Sequence, residues 1–230
     1  MAGIGADNES IFPLASKNLH STEIWSQPKT QCNLPDFPLK VEGAVGFWTA
    51  QGPVVCGGQQ GRDGNWNMES RCFLYKHHQW MPWTNMTRKR EFASAVQINS
   101  HQTLIIGGST NGYGLKSTEL VSSTGSEEGN DFPKTIEGHC TFKINSTHAL
   151  VTGGIQGGVV WSSTWFVDLT TSTFTPGPTM KMRIRNHGCG TFKLGSKTYG
   201  IVAGGWFGNE IIDLNHNSPT WTEGLQKKKS

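Results

Sequence analysis

The chain has 230 residues, 35% of them hydrophobic and 16% charged, with 29 glycines and nine tryptophans. That length suits one all-β domain with a sizeable core, and so low a charge beside 10% aromatic residues excludes a disordered chain. The net charge of +3 equals the contribution of Lys227, Lys228 and Lys229 alone, so the other charges balance and offer no basic face to nucleic acid. No window approaches the roughly 18 consecutive apolar residues of a membrane span. The first twenty residues lack the basic and apolar regions of a secretory leader.

Residues 1–39 read as a degenerate or partial first unit. Here IFPLA (11–15) is a candidate strand, and TEIWS (22–26) and CNLPDFP (32–38) read as a third and a fourth strand without a first and second. From residue 40 a pattern recurs. Hydrophobic runs end in paired glycines at VVCGG (54–58), LIIGG (104–108), LVTGG (150–154) and IVAGG (201–205). Their first glycines, Gly57, Gly107, Gly153 and Gly204, are 50, 46 and 51 residues apart. Ahead of three pairs lies another strand-like run (93–99, 140–145 and 190–195), joined through polar turn residues as a hairpin would be. Beyond the pairs come FLY (73–75), TEL (118–120), WFVDL (165–169) and EIIDL (210–214). After three of these a further segment carries Trp80, Phe174 or Trp221. Each unit reads as four short strands without helical periodicity. The units fall at about 40–88, 89–135, 136–184 and 185–224, before a basic tail at 225–230.

A four-stranded sheet has two apolar faces and cannot bury both alone. Stacking such sheets around an axis covers them, which makes the expected fold all-β, a β-propeller of four-stranded blades. The glycine pair would end the second strand where the chain turns or backbones approach closely. Trp80 and Trp221 would supply apolar area between neighbouring sheets.

Taken together, the hydrophobic run with Gly-Gly, the third strand, the downstream Trp and a Met-x-x-x-Arg step resemble the kelch repeat. The best copies are residues 105–120 and 165–188, and the likeness covers about residues 40–224. Met86 with Arg90 fits the last step, and Met180 with Arg183 or Arg185 fits it loosely. The family's third-strand Tyr is present only as Tyr75, with Leu120, Val167 and Ile212 elsewhere. The resemblance implies a ring of six or seven blades, which at about 48 residues each would need roughly 290–340 residues. Four to five blades fit here, so the propeller is expected to be incomplete or five-bladed, and an open ring would favour self-association.

Candidate chemistry is sparse. Copper radical oxidases resembling galactose oxidase share kelch-like blades, but none of Tyr75, Tyr113 and Tyr199 stands in a copper-ligand context. His77 and His78, adjacent in a strand, would point to opposite faces. His139-Cys140 and His187-Gly188-Cys189 recur at matching repeat positions; a Cys/His metal pairing would need them to converge, and equivalent positions are expected to be dispersed. Ser109, Ser162 and Ser163 lie in polar loops without a nucleophile elbow. GGIQGG (153–158) has no helix after it to hold a phosphate. The carboxylates are scattered, and no catalytic residue, metal or cofactor is expected. The five cysteines (Cys32, Cys56, Cys72, Cys140, Cys189) show no CxxC pair or small disulfide framework. Their odd number allows a free thiol or one intermolecular bridge, and the missing leader favours a reducing, cytoplasmic setting, or an extracellular one if sequence precedes this chain. Sequons at Asn8, Asn85 and Asn145 are no more than chance supplies.

Surface loops remain. Those between second and third strands (59–71, 109–117 and 155–164) carry Arg62, Asp63, Trp66, Asn111, Tyr113 and Trp161. A rigid scaffold makes such loops the usual bearers of binding residues, and Trp, Tyr and Arg are enriched at interface hot spots. The expected function is a non-enzymatic scaffold for an unidentified protein partner. The alternatives are a carbohydrate-active or metal-dependent propeller enzyme and a non-functional propeller fragment.

Overall fold

A computed structural model describes residues 35–61, 67–204, 208–216 and 219–224, with the backbone of three earlier strands. Those are β1 (Ile4–Ala6), β2 (Glu9–Pro13) and β3 (Thr22–Trp25), an antiparallel sheet in chain order. The run at Thr22–Trp25 is thus the third strand of a three-stranded sheet, and two strands do precede it. The segment expected to be its fourth strand is irregular at 35–38, where Phe37 packs edge-on against Phe73 and Trp80. Cys32 lies outside the described residues.

Two compact units follow one another along the chain, residues 1–137 and 138–230. The first holds, beside the three-stranded sheet, two four-stranded ones. In chain order its strands are β4 (Val45–Thr49), β5 (Gly52–Cys56), β6 (Gln59–Gln60), β7 (Asn67–Met68), β8 (Cys72–Lys76), β9 (Gln79–Pro82), β10 (Ser94–Gln97), β11 (Gln102–Ile106), β12 (Ser109–Thr110), β13 (Tyr113–Gly114), β14 (Thr118–Ser122) and β15 (Gly125–Glu128). The sheets run β4-β5-β8-β9 and β10-β11-β14-β15, antiparallel throughout.

The second unit repeats the plan. Its strands are β16 (Cys140–Lys143), β17 (His148–Thr152), β18 (Ile155–Gln156), β19 (Val159–Val160), β20 (Thr164–Asp168), β21 (Thr173–Pro176), β22 (Gly188–Leu194), β23 (Lys197–Ala203), β24 (Asn209–Asp213) and β25 (Trp221–Glu223). They form the sheets β16-β17-β20-β21 and β22-β23-β24-β25. No helix occurs among the described residues, and so none long and apolar enough to cross a membrane.

Burial follows strand position. First strands alternate, as β4 does with Val45, Phe47 and Thr49 inside. Second strands β5, β11 and β17 are buried without alternation after their first residue, and around β5 apolar clusters lie on both faces, Val54 in one and Val55 with Phe37 and Phe73 in the other. In the first unit one core joins both sheets, with Val54, Cys72, Leu74 and Met86 packed against Ile105 and Val121. In the second, Phe142, Leu150, Met180, Val202, Ile212 and Trp221 do the same. Trp221 therefore fills the space between sheets, while its Nε1–H donates to the Pro178 carbonyl at 3.0 Å. Trp80 instead packs on Phe37 and donates to the Pro35 carbonyl at 3.2 Å. Strand β22 leaves Phe192 and Leu194 38% and 69% exposed.

The paired glycines tie one repeat to the next. In the first three copies the second glycine donates its N–H to the segment at the boundary with the following repeat, to the Arg90, Ile136 and Ile184 carbonyls, each at 2.8 Å. Gly57 and Gly153 hold φ of +69° and +60°, and a Cβ there would lie 2.5 and 2.4 Å from the Arg90 and Ile184 carbonyl oxygens. Only glycine satisfies both conditions.

The Met-x-x-x-Arg step has a structural counterpart. Met86, Phe132 and Met180 are buried, and their N–H groups donate to the Ser70, Lys116 and Ser162 carbonyls. Four residues on stand Arg90, Ile136 and Ile184, also buried. The loose match of Met180 to Arg183 or Arg185 is therefore corrected: both arginines are exposed and Ile184 takes the inner place. Arg90 is a buried hub. It donates to the Gly107 and Ser117 carbonyls at 2.5 and 3.0 Å and pairs with Glu119 at 2.5 Å, both side chains 0% exposed. Glu119 also accepts from the Thr87 and Arg88 N–H groups and the Ser126 hydroxyl. Glu210, its counterpart on β24, accepts from the Lys181 and Met182 N–H groups at 2.9 and 2.6 Å.

Candidate functional site

Each long loop between a second and third strand folds back as a small hairpin, β6/β7, β12/β13 and β18/β19. The tips of the last two are two-residue turns with both φ positive, Asn111-Gly112 (+49°, +79°) and Gly157-Gly158 (+58°, +81°). That is the backbone a type I′ turn requires, which is why Asn and Gly occupy it. No Cβ at Gly112, Gly157 or Gly158 would meet another atom, so backbone angle alone selects glycine there.

The hairpins place the candidate residues. Asn111 forms the turn, and Tyr113 opens the returning arm opposite Thr110 with its side chain 77% exposed. In the second unit Val159 takes the corresponding place opposite Gln156 and is 49% exposed. Val159 was not among the residues singled out from the sequence, although Gly157-Gly158 fixes its position. Trp161 is half-buried at the hairpin base. Its indole N–H donates to the Gln156 carbonyl at 3.2 Å, and its backbone bonds Gly154 and Ile184. Arg62, Asp63 and Trp66, between β6 and β7 in the sequence, lie outside the described residues. The structure thus brings Asn111 and Tyr113 together on one turn and sets Trp161 on the matching hairpin of the other unit.

Carboxylates gather at the hairpin bases of the first unit, which corrects their reading as scattered. Gln59 Nε2 donates to Glu42 at 2.5 Å, and Ser109 Oγ donates to Glu91 at 3.3 Å. Burial pushes the Glu91 carboxyl up to about 7; Ser109 opposes this, and the charges of Glu137 and Glu42 add to it. Glu42, Glu91 and Glu137 are 49 and 46 residues apart, the period of the repeat. At Glu69 burial resists ionisation, yet hydrogen bonds from Arg71 and Gln60 and the Arg71 charge outweigh it and hold the group below its usual range.

The histidines and cysteines correct three expectations. His77 and His78, with φ of +53° and +60°, are not strand residues but the turn joining β8 to β9. The repeat-equivalent Cys140 and Cys189 are not dispersed: they form a disulfide between β16 and β22, with 6.0 Å between Cα atoms. A second disulfide joins Cys56 to Cys72 directly across β5 and β8. The chain therefore does carry disulfides, and the thiolates of the imagined Cys/His metal pairing are consumed. His187 Nε2 lies 2.9 Å from the Thr152 hydroxyl, while His187 Nδ1 and both ring nitrogens of His139 are buried without a partner. Burial lowers His139 to about 3, helped by His187, and lowers His187 to about 4. Among the described residues, no three His, Cys, Asp or Glu side chains are placed to hold a metal ion.

No family model matches this chain, and no curated protein sequence does. Solved structures do. One, titled "Structure of YjhT", aligns with a TM-score of 0.71 over 89% of this chain and 72% of its own, at 12% sequence identity. At that identity the likeness defines the fold alone: an all-β protein with the four-stranded blades of a β-propeller.

Proposed function

We propose that this chain is a kelch-type β-propeller protein serving as a non-enzymatic scaffold, which binds a protein partner through its second-to-third-strand hairpins. Tyr113 carries the reading. A large aromatic ring 77% exposed on a tight two-residue turn is held out at little further entropic cost on binding. Val159 repeats the arrangement, and Asn111, Trp161, Arg62, Asp63 and Trp66 complete the proposed contact set. Kelch identity draws support from the glycine pairs and from the Met86–Arg90 step, whose arginine holds the Gly107 and Ser117 carbonyls of the blade it enters. The non-enzymatic reading draws support from the histidines: the two at repeat positions, His139 and His187, are shut from solvent, and the cysteines that follow them in the chain are bonded to each other.

A benzoylphenylalanine introduced at position 113 of the full chain tests this. The expected result on illumination is saturable trapping of one protein, competed by unmodified chain, with none from the same probe at the exposed position 193. Equal trapping at both positions, or none at 113, overturns the reading.

A further inference from the structure

Asn145, Ser146 and Thr147 form an Asn-x-Thr sequon at the turn between β16 and β17, and all three are exposed. Asn145 Oδ1 accepts the N–H groups of Thr147 and His148 at 2.9 and 2.8 Å and the Thr147 hydroxyl at 3.1 Å. Every one of these contacts uses the carbonyl oxygen, and none engages Nδ2. The hydroxyl two residues on is therefore already held against the amide whose nitrogen would react. The hairpin is closed behind it by Ile144 and Asn145 N–H groups donating to the His148 carbonyl at 2.9 and 3.2 Å. Buried residues begin only at Ala149, so a bulky group on Asn145 displaces nothing from the core. Independently, Cys56–Cys72 and Cys140–Cys189 are bonded, and structural disulfides belong to oxidising compartments, where glycan transfer to asparagine also takes place.

We propose that Asn145 is an acceptor for an N-linked glycan, added as the chain matures in an oxidising secretory compartment. The donor is an oligosaccharide on a lipid pyrophosphate. Nδ2 attacks the anomeric carbon, a C–N bond forms as the anomeric C–O bond breaks, the lipid pyrophosphate leaves with the electron pair, and Nδ2 loses one proton. No oxidation or reduction occurs. The other described sequon is built differently: Asn85 is exposed, but Met86 is buried and the Thr87 N–H is committed to Glu119 at 2.7 Å. Asn8 lies outside the described residues.

The test is secretion of the full chain from eukaryotic cells behind a cleavable leader, with intact mass and peptide mapping before and after amidase release in heavy-oxygen water. The expected result is a glycan-sized mass lost on release, with the deamidation label on Asn145. Asn145→Gln and Thr147→Ala remove that label, Thr147→Ser keeps it, and Asn85→Gln leaves it unchanged. Asn145→Asp keeps the oxygen that closes the turn, so a folded, secreted and unglycosylated product is expected from it. Secreted chain with both disulfides formed and Asn145 unmodified overturns the proposal, as does a glycan mass that persists in full in Asn145→Gln.

Discussion

Cys140 and Cys189 occupy equivalent places in two successive repeats, 49 residues apart, and are bonded to each other. The bond spans β16 and β22, the first strands of neighbouring sheets, so it closes one blade onto the next. On chain-entropy grounds a loop of this length is worth about 4 kcal/mol, and the 16-residue loop of Cys56–Cys72 about 3 kcal/mol. Thermal unfolding with and without reductant checks this. A clear fall in Tm on reduction is expected, and Cys140→Ser with Cys189→Ser should lower it at least as much as Cys56→Ser with Cys72→Ser.

Acid and base limbs of stability should arise in different units. His139 and His187 titrate at about 3 and 4 in the fold against about 6.5 when unfolded, so the unfolded chain binds more protons between those values. Their contribution is complete above pH 6.5 and is lost as pH falls toward 4. Glu91 runs the other way: with its pKa raised to about 7 from 4.5, its contribution is complete below pH 4.5 and is lost as pH rises through 7. Denaturant titrations across pH 4.5–8 should show His139→Leu flattening the acid limb and Glu91→Gln the alkaline one.

Two glycines at nearly the same φ should tolerate alanine differently. Gly157 (+58°) faces open space, so Gly157→Ala should cost only the left-handed strain, about 1–2 kcal/mol. Gly153 (+60°) would also press its Cβ on the Ile184 carbonyl, which accepts the Gly154 N–H, so Gly153→Ala should cost distinctly more. Urea midpoints of the two variants give the comparison.

Those contrasts explain how far the sequence was legible. Strands β5, β11 and β17 end at Cys56, Ile106 and Thr152, each immediately before a glycine pair that combines a positive φ with close backbone approach, and β23 ends at Ala203 before Gly204, where a φ of +97° alone favours glycine. Local patterns therefore give the repeat and its strand order. What brings repeat-equivalent residues together is the stacking of sheets, which no single repeat encodes. Cys140 with Cys189, and Glu42 and Glu137 around Glu91, are spaced by one period, and that spacing was the available signal. Asn111-Gly112 and Gly157-Gly158 likewise announce tight hairpins where polar loops were expected. Ile184 was hidden because two flanking arginines imitate the family pattern.

Breaking the Arg90–Glu119 pair should cost more than weakening its counterpart. Arg90→Met leaves Glu119 a fully buried charge without its ion-pair partner and takes a donor from two carbonyls, for about 3–5 kcal/mol. Glu210→Gln weakens two charge-assisted hydrogen bonds, for about 1–3 kcal/mol. Equilibrium unfolding of both variants ranks them.

The scaffold reading rests most heavily on Tyr113, whose ring stands in solvent and supports no core residue. Tyr113→Ala should leave stability within about 0.5 kcal/mol of the parent chain. The most direct measurement is a binding titration of the partner trapped from position 113 against the parent chain and Tyr113→Ala, at matched Tm. The expected result is an affinity at least about tenfold weaker, the loss of a hot-spot residue. Unchanged affinity, with the fold intact, would contradict recognition through the hairpins.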